Sequence, residues 1–185
     1  MTRIATLTGL AAATVLATSA FAQMANPMVG GAAMFADKTI VENAVNSADH
    51  TTLVAAVQQA GLVDTLNSEG PFTVFAPTNA AFDKISDDSL SALMMDQNKA
   101  QLAQILTCHV VATNALSDAI AGMIADDGGV HAVPTVGGCT LQAKMVGQNI
   151  ILTDENGRDA KVTIADVRQS NGVIHVIDRV LLPAQ

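Results

Sequence analysis

Residues 171–183 read Asn-Gly-Val-Ile-His-Val-Ile-Asp-Arg-Val-Leu-Leu-Pro. Asn171-Gly172 is a turn signal, because a primed hairpin turn needs positive φ and a β-carbon opposes it. Val173 to Ile177 then place apolar side chains on both faces, as a strand buried in the middle of a sheet does. Upstream, Ala160, Val162 and Ile164 alternate with Lys161 and Thr163, and Asn156-Gly157 marks another hairpin. Leu141, Ala143 and Met145 share one face of Thr140–Val146, and Gly147-Gln148 turns that segment into Asn149–Thr153. The last third of the chain is an antiparallel meander.

Before Gly129 the period of the apolar residues changes from two to that of a helix. Ile40, Val41, Ala44, Val45 and Ala48 recur at helical spacing, as do Leu53, Val54, Val57 and Ala60 ahead of Gly61. The two helices separate around Asp49-His50-Thr51, where Asp49 or Thr51 is the expected cap of the second. Phe72–Ala76 is β-rich and stops at Pro77; Thr78 or Asn79 caps a short helix carrying Ala80, Ala81 and Phe82. Ser86 opens another helix, with Asp87 and Asp88 beside the positive end of its dipole. Leu102, Ile105 and Leu106 extend the helical theme to His109-Val110-Val111, and a last helix spans about Leu116–Ile124. Helices followed by a meander make the class α+β.

The N-terminus is expected to be a signal segment, residues 1–22. Arg3 is followed by an apolar run from Ile4 to Ala17, and Ala20-Phe21-Ala22 is a small-x-small cleavage signal. An uncleaved anchor is the alternative, but the run is short of the ~20 mainly apolar residues of a membrane span. Residues 23–38, rich in Met, Gly, Ala and Pro, read as a flexible leader. A single domain from 39 to 183 remains, long enough to bury a core.

Composition excludes several functions. The formal charge is −8, becomes one unit more negative if Arg3 is removed, and the basic residues are scattered singly. Nucleic-acid binding needs a basic face and is therefore not expected. With no Trp and no Tyr, aromatic hot spots and stacking platforms are missing. Cys108 and Cys139, in a chain bound for an oxidising compartment, default to one disulfide; two buried free thiols or a reactive pair are the alternatives.

Catalytic motifs are absent: no G-x-S-x-G, no H-E-x-x-H and no phosphate-cradling Gly-rich loop precedes a helix. His175, inside an apolar strand, reads as a satisfied core histidine, as does His109; His50 and His131 are expected in exposed positions. Asp166 either stabilises the Asn171-Gly172 loop locally or faces a partner beside Val167. The loop Asp154–Asp159 lacks the ligand spacing of an EF-hand and is expected to be a solvated hairpin tip. A different class of function rests on Met24, Met28 and Met34, whose thioethers suit Cu(I), with His50 nearby. No other metal site and no cofactor is expected.

Two segments resemble the conserved boxes of fasciclin-like domains. The first is Phe72-Thr73-Val74-Phe75-Ala76-Pro77-Thr78-Asn79-Ala80-Ala81-Phe82, and the second is the Asn171–Pro183 stretch, with His175 inside it. The likeness runs from about Thr39 to Pro183. It implies helices packed on an antiparallel β-wedge, no established catalytic site, and a role in adhesion or matrix contact outside the cell. Animal members carry a Tyr-His pair flanked by aliphatic residues, which Cys108-His109-Val110-Val111 matches with Cys in place of Tyr. They also carry an Asp-Ile pair, which Asp166-Val167 matches. The resemblance thus implies His109, Val110, Asp166 and Val167 as partner-binding residues. The expected product is an exported, monomeric, non-enzymatic binding module for a protein or matrix ligand, with copper binding or an envelope-stress scaffold role as the alternative.

Overall fold

The computed structural model of the chain describes residues 26–184. The expected signal segment and Met24 lie outside the described residues. Thr39 starts the helical half with a reciprocal cap: its hydroxyl accepts from Glu42 N, and the Glu42 carboxylate accepts from Thr39 N. Helix α1 (Ile40–Ala44) leads through a 3-10 turn at Ala48–His50 into α2 (Thr51–Ala60). Gly61 ends α2 at φ 74°, the left-handed conformation a helix C-terminus favours. A short α3 (Val63–Asn67) follows.

Strand β3 (Phe72–Pro77) turns directly into α4 (Asn79–Phe82), where Thr78 accepts from Ala81 N at 3.3 Å as the expected cap. Ser86 likewise caps α5 (Asp87–Leu93), and α6 (Lys99–Thr107) runs into β4 (Val110–Val111). Helix α7 (Ser117–Asp126) closes the helical part. The meander consists of β5 (Val130–Pro134), β6 (Thr140–Val146), β7 (Asn149–Thr153), β8 (Asp159–Gln169) and β9 (Gly172–Ile177). All seven of these strands form one sheet in the order β4-β3-β9-β8-β7-β6-β5.

The expected central strand is β9, buried at every position from Gly172 to Ile177. Its neighbour β3 runs parallel to it, Phe72 opposite Gly172 and Ile177 opposite Pro77, so the wedge is largely rather than wholly antiparallel. One face of β3 and β9 sends Val74, Ala76, Ile174 and Val176 into a core shared with α1–α6. The other face sends Phe75 and Ile177 into a second core with α7, Leu141 and Leu152. Alternation along a strand produces this split, and two cores on one sheet explain why β9 is buried throughout.

The structure corrects several sequence expectations. Residues 28–33, expected in a flexible leader, form the hairpin β1 (Met28–Val29) and β2 (Ala32–Ala33), and Val29 and Met34 join the first core. The turn between β8 and β9 is Ser170-Asn171, with Gln169 opposite Gly172, and neither turn residue has positive φ. Gly172 is required by proximity instead: a Cβ there would lie 2.1 Å from the Phe72 carbonyl oxygen. Helix α2 is capped neither by Asp49 nor by Thr51. Asn79, from the first box, accepts from Thr52 N and Thr51 Oγ1 and donates to the Ala48 carbonyl. Asn79 thereby ties the start of α4 to the start of α2.

Candidate functional site

The residues proposed from the boxes converge, but inside the protein. Val110 pairs with Val74, Val74 with Ile174, and Ile174 with Val167, so one rung crosses β4, β3, β9 and β8. All four valine and isoleucine side chains are buried in the first core. Val110 and Val167 are thus brought together on the helix-covered face, buried from the protein surface. His109 is buried as well. Its Nδ1 donates to the Ile105 carbonyl at 2.8 Å, and its Nε2 accepts from Leu181 N at 2.9 Å. Burial, against the favourable Ile105 carbonyl, pushes its pKa down to about 4 and keeps the ring neutral.

Cys108 and Cys139 are bonded, with Cα atoms 5.4 Å apart, and join the end of α6 to the start of β6. Phe82 is packed in the first core. His175 is the satisfied core histidine expected: Nε2 donates to the Ala115 carbonyl at 2.8 Å, and Nδ1 accepts from Asp166 N at 3.3 Å. Its ring stacks on Phe75, centroids 5.8 Å apart, and burial lowers its pKa.

Asp166 is half-buried and sits in an irregular part of β8, where the register slips between Ile164 and Val167. Its φ of 60° is the one positive value at a non-glycine among the described residues. Asp tolerates this conformation better than most residues. The bulge aims its carboxylate at α7: Oδ1 accepts from Ser117 N at 2.7 Å, and Oδ2 accepts from Ser117 Oγ. The acid caps α7, while the Ser170-Asn171 turn is held by Asn171 itself. Asn171 Oδ1 accepts from Ile40 N, and its amide donates to the Leu66 and Ser68 carbonyls. Ion-like hydrogen bonds to a helix N-terminus suit a carboxylate.

Asp154 was missed as an organising residue. Its side chain is buried, not solvated, and accepts from the backbone N–H of Asn156, Arg158 and Leu182 and from the Arg158 guanidinium. Burial opposes its ionisation, but the Arg158 and Leu182 amides and the Arg158 charge outweigh it and lower the pKa. The Asp-x-Asn-Gly-Arg spelling of the loop carried the signal, since Asp side chains commonly bond to backbone two residues on. The segment after β9 is anchored by the same acid through Leu182.

The premise of the copper reading fails at two residues. Met34 lies in the core, and Met28 is 59% exposed on the hairpin, so the thioethers do not share a loose leader. His50, expected exposed, is 3% exposed, with Nδ1 2.8 Å from Ser47 Oγ. His131 is half-buried and bonded to Asp127. Among the described residues, no group of three or more His, Cys, Asp or Glu is arranged to hold a metal.

The exposed apolar residues lie elsewhere. Val130 on β5 stands opposite Lys144, and Val146 lies two residues further along β6 on the same outer face. Their exposures are 48% and 56%. Ile151, Thr153, Asp159 and Lys161 continue this face across β7 and β8, with Lys144 bonded to Asp159 at 3.0 Å. Strand β5 is an outer edge of the sheet.

Comparison with known proteins places this arrangement. The chain matches the Fasciclin domain family over residues 48–183. It belongs to that family. A Synechocystis sp. protein is 40% identical over 160 residues, covering 84% of this chain and 79% of its own length. Immunogenic protein MPB70 of Mycobacterium bovis is 37% identical over 145 residues, covering 76% of this chain and 66% of the relative. Transforming growth factor-beta-induced protein ig-h3 of Sus scrofa is 35% identical over 131 residues; the match covers 71% of this chain but 17% of that longer protein. Among solved structures, a FAS1 domain pair from the insect cell adhesion molecule Fasciclin I superposes with a TM-score of 0.69 at 21% identity. The match covers 78% of this chain and 51% of the other, and shows the shared fold.

Proposed function

We propose that this fasciclin domain is an exported, non-enzymatic module that binds a protein partner in adhesion or in the cell envelope. The outer face of β5–β8 carries this reading: it is a sheet face with Val130 and Val146 exposed, and among the described residues β5 is its edge strand. An exposed edge offers unpaired backbone groups to an extended partner segment, and adjacent apolar side chains add selectivity. The buried histidines support a non-catalytic reading, because His109 and His175 spend both ring nitrogens on structural hydrogen bonds. The matching pair Asp166-Val167 then serves partners indirectly, by holding α7 against the sheet.

Binding of the purified domain to the exporting cells and to matrix-coated surfaces tests this. Val130→Lys with Val146→Lys should reduce saturable binding about tenfold, as loss of an apolar contact site does, with an unchanged melting temperature. Undiminished binding by this pair would rule out the β5–β8 face.

A further inference from the structure

A cavity of about 100 Å³ lies between α1–α3 and the β4-β3-β9-β8 part of the sheet. Its floor is the rung Val110, Val74, Ile174 and Val167 described above. Gln58 and Thr65, both exposed, stand at its rim. No Asp, Glu, Lys or Arg lines it. An apolar cavity of this order, ~150 Å³ in an engineered case, takes up small hydrocarbon ligands in place of water.

One buried polar atom in this wall is left without a partner. His50 lines the cavity and is almost wholly buried, and its Nε2 has no hydrogen-bond partner among the described residues. The opposite nitrogen is engaged by Ser47 Oγ, and the neighbouring polar wall residues are occupied elsewhere: Thr107 Oγ1 donates to Ala103 and Gln104 carbonyls, and both His109 nitrogens are used. A buried ring nitrogen left unpaired is costly unless something fills the role. Burial lowers the His50 pKa; the Ala76 carbonyl, which lies near the ring but outside hydrogen-bond geometry, and Asp49 oppose the shift, and the ring stays neutral.

We propose that this cavity is a binding site for a neutral aliphatic molecule with a single hydroxyl, whose hydroxyl pairs with His50 Nε2. A hydroxyl both donates and accepts, so it suits either tautomer of the ring. A carboxylate does not fit, because it would enter without a counter-charge on any wall. The walls draw on four helices and five strands, and nearly all of the side chains they contribute are aliphatic, which suits an aliphatic ligand. The site is separate from the β5–β8 face and does not depend on the proposed protein partner.

Titration of the protein with 1-hexanol, followed at the histidine ring nitrogens and the Val167 methyl groups by NMR, tests the proposal. Saturable shifts confined to His50 and the cavity methyls are expected. 1-Chlorohexane, matched in chain length, should bind about tenfold more weakly, the effect of one buried hydrogen bond. His50→Phe should remove that difference, and Val54→Phe, at the half-buried wall, should weaken both ligands. Non-saturating shifts would overturn the site. Equal affinity for the two probes in the unaltered protein would overturn the His50 anchor, a comparison that holds even if His50→Phe fails to fold. A water contact at His50 that hexanol does not displace would also overturn it.

Discussion

Asp166 shows how a residue with the look of a binding determinant is used by the fold. The bulge in β8 and its left-handed backbone swing the carboxylate onto Ser117 N, the first turn of α7. Asp166→Ala should therefore lower stability by about 1–2 kcal/mol, the usual worth of a helix cap, measured by urea unfolding. Asp166→Asn should recover much of this, since the amide oxygen still accepts and Asn tolerates positive φ. Position 166 could be singled out from sequence, but its target could not, because Ser117 is 49 residues away and no local pattern links them. The buried histidines were legible where an apolar strand surrounded them, as at His175, and not at His50, which lies between two helices. The same histidines set an acid response. Burial lowers the pKa of His50, His109 and His175 in the fold, so the unfolded chain binds more protons below its ordinary histidine pKa, ~6.5. Stability should fall as pH drops from about 6.5, and the His109 share, roughly 3 kcal/mol for a fully buried ring, should be spent by about pH 4. His109→Gln should flatten part of that slope in pH-dependent urea titrations. Asp154 acts with the same sign lower down: its pKa is depressed in the fold, so its contribution disappears below the ordinary aspartate range.

At the scale of elements, the two boxes are junctions. The first box holds β3, α4 and, through Asn79, the start of α2; the second holds the β8–β9 turn and, through Asn171, the start of α1 and the end of α3. Asn79→Ala should cost about 1 kcal/mol by uncapping α2. Gly172→Ala should cost more, about 3 kcal/mol, since its Cβ would meet the Phe72 backbone and not a side chain that can turn away. Chemical denaturation of both variants would order these costs, and a smaller effect at Gly172 would contradict the close-approach reading. Long periodic helices and the alternating strands β6 and β8 were legible. Strands β4, β5 and the β1–β2 hairpin were not, because two- to five-residue strands carry too few positions to establish a period, and their partners supply the pairing.

For the whole molecule, the disulfide is a tether between the two halves. Cys108 belongs to the helical half and Cys139 to the meander, separated by 31 residues. Reduction should lower unfolding stability by about 3–4 kcal/mol through the greater freedom of the unfolded chain, with far-ultraviolet circular dichroism unchanged in the absence of denaturant. A larger loss, with collapse of the helical signal, would mean that the two cores depend on the covalent link. The pairing of β3 with β9 has another consequence. Among the described residues strand β9 follows every other strand, yet it lies inside the sheet, third of seven, and separates both cores. During synthesis, β3 waits for its partner while about a hundred intervening residues emerge at ~5–20 residues per second. The domain has no half-built stage in which the layer between its two cores is complete, so the sheet closes only after β9 arrives.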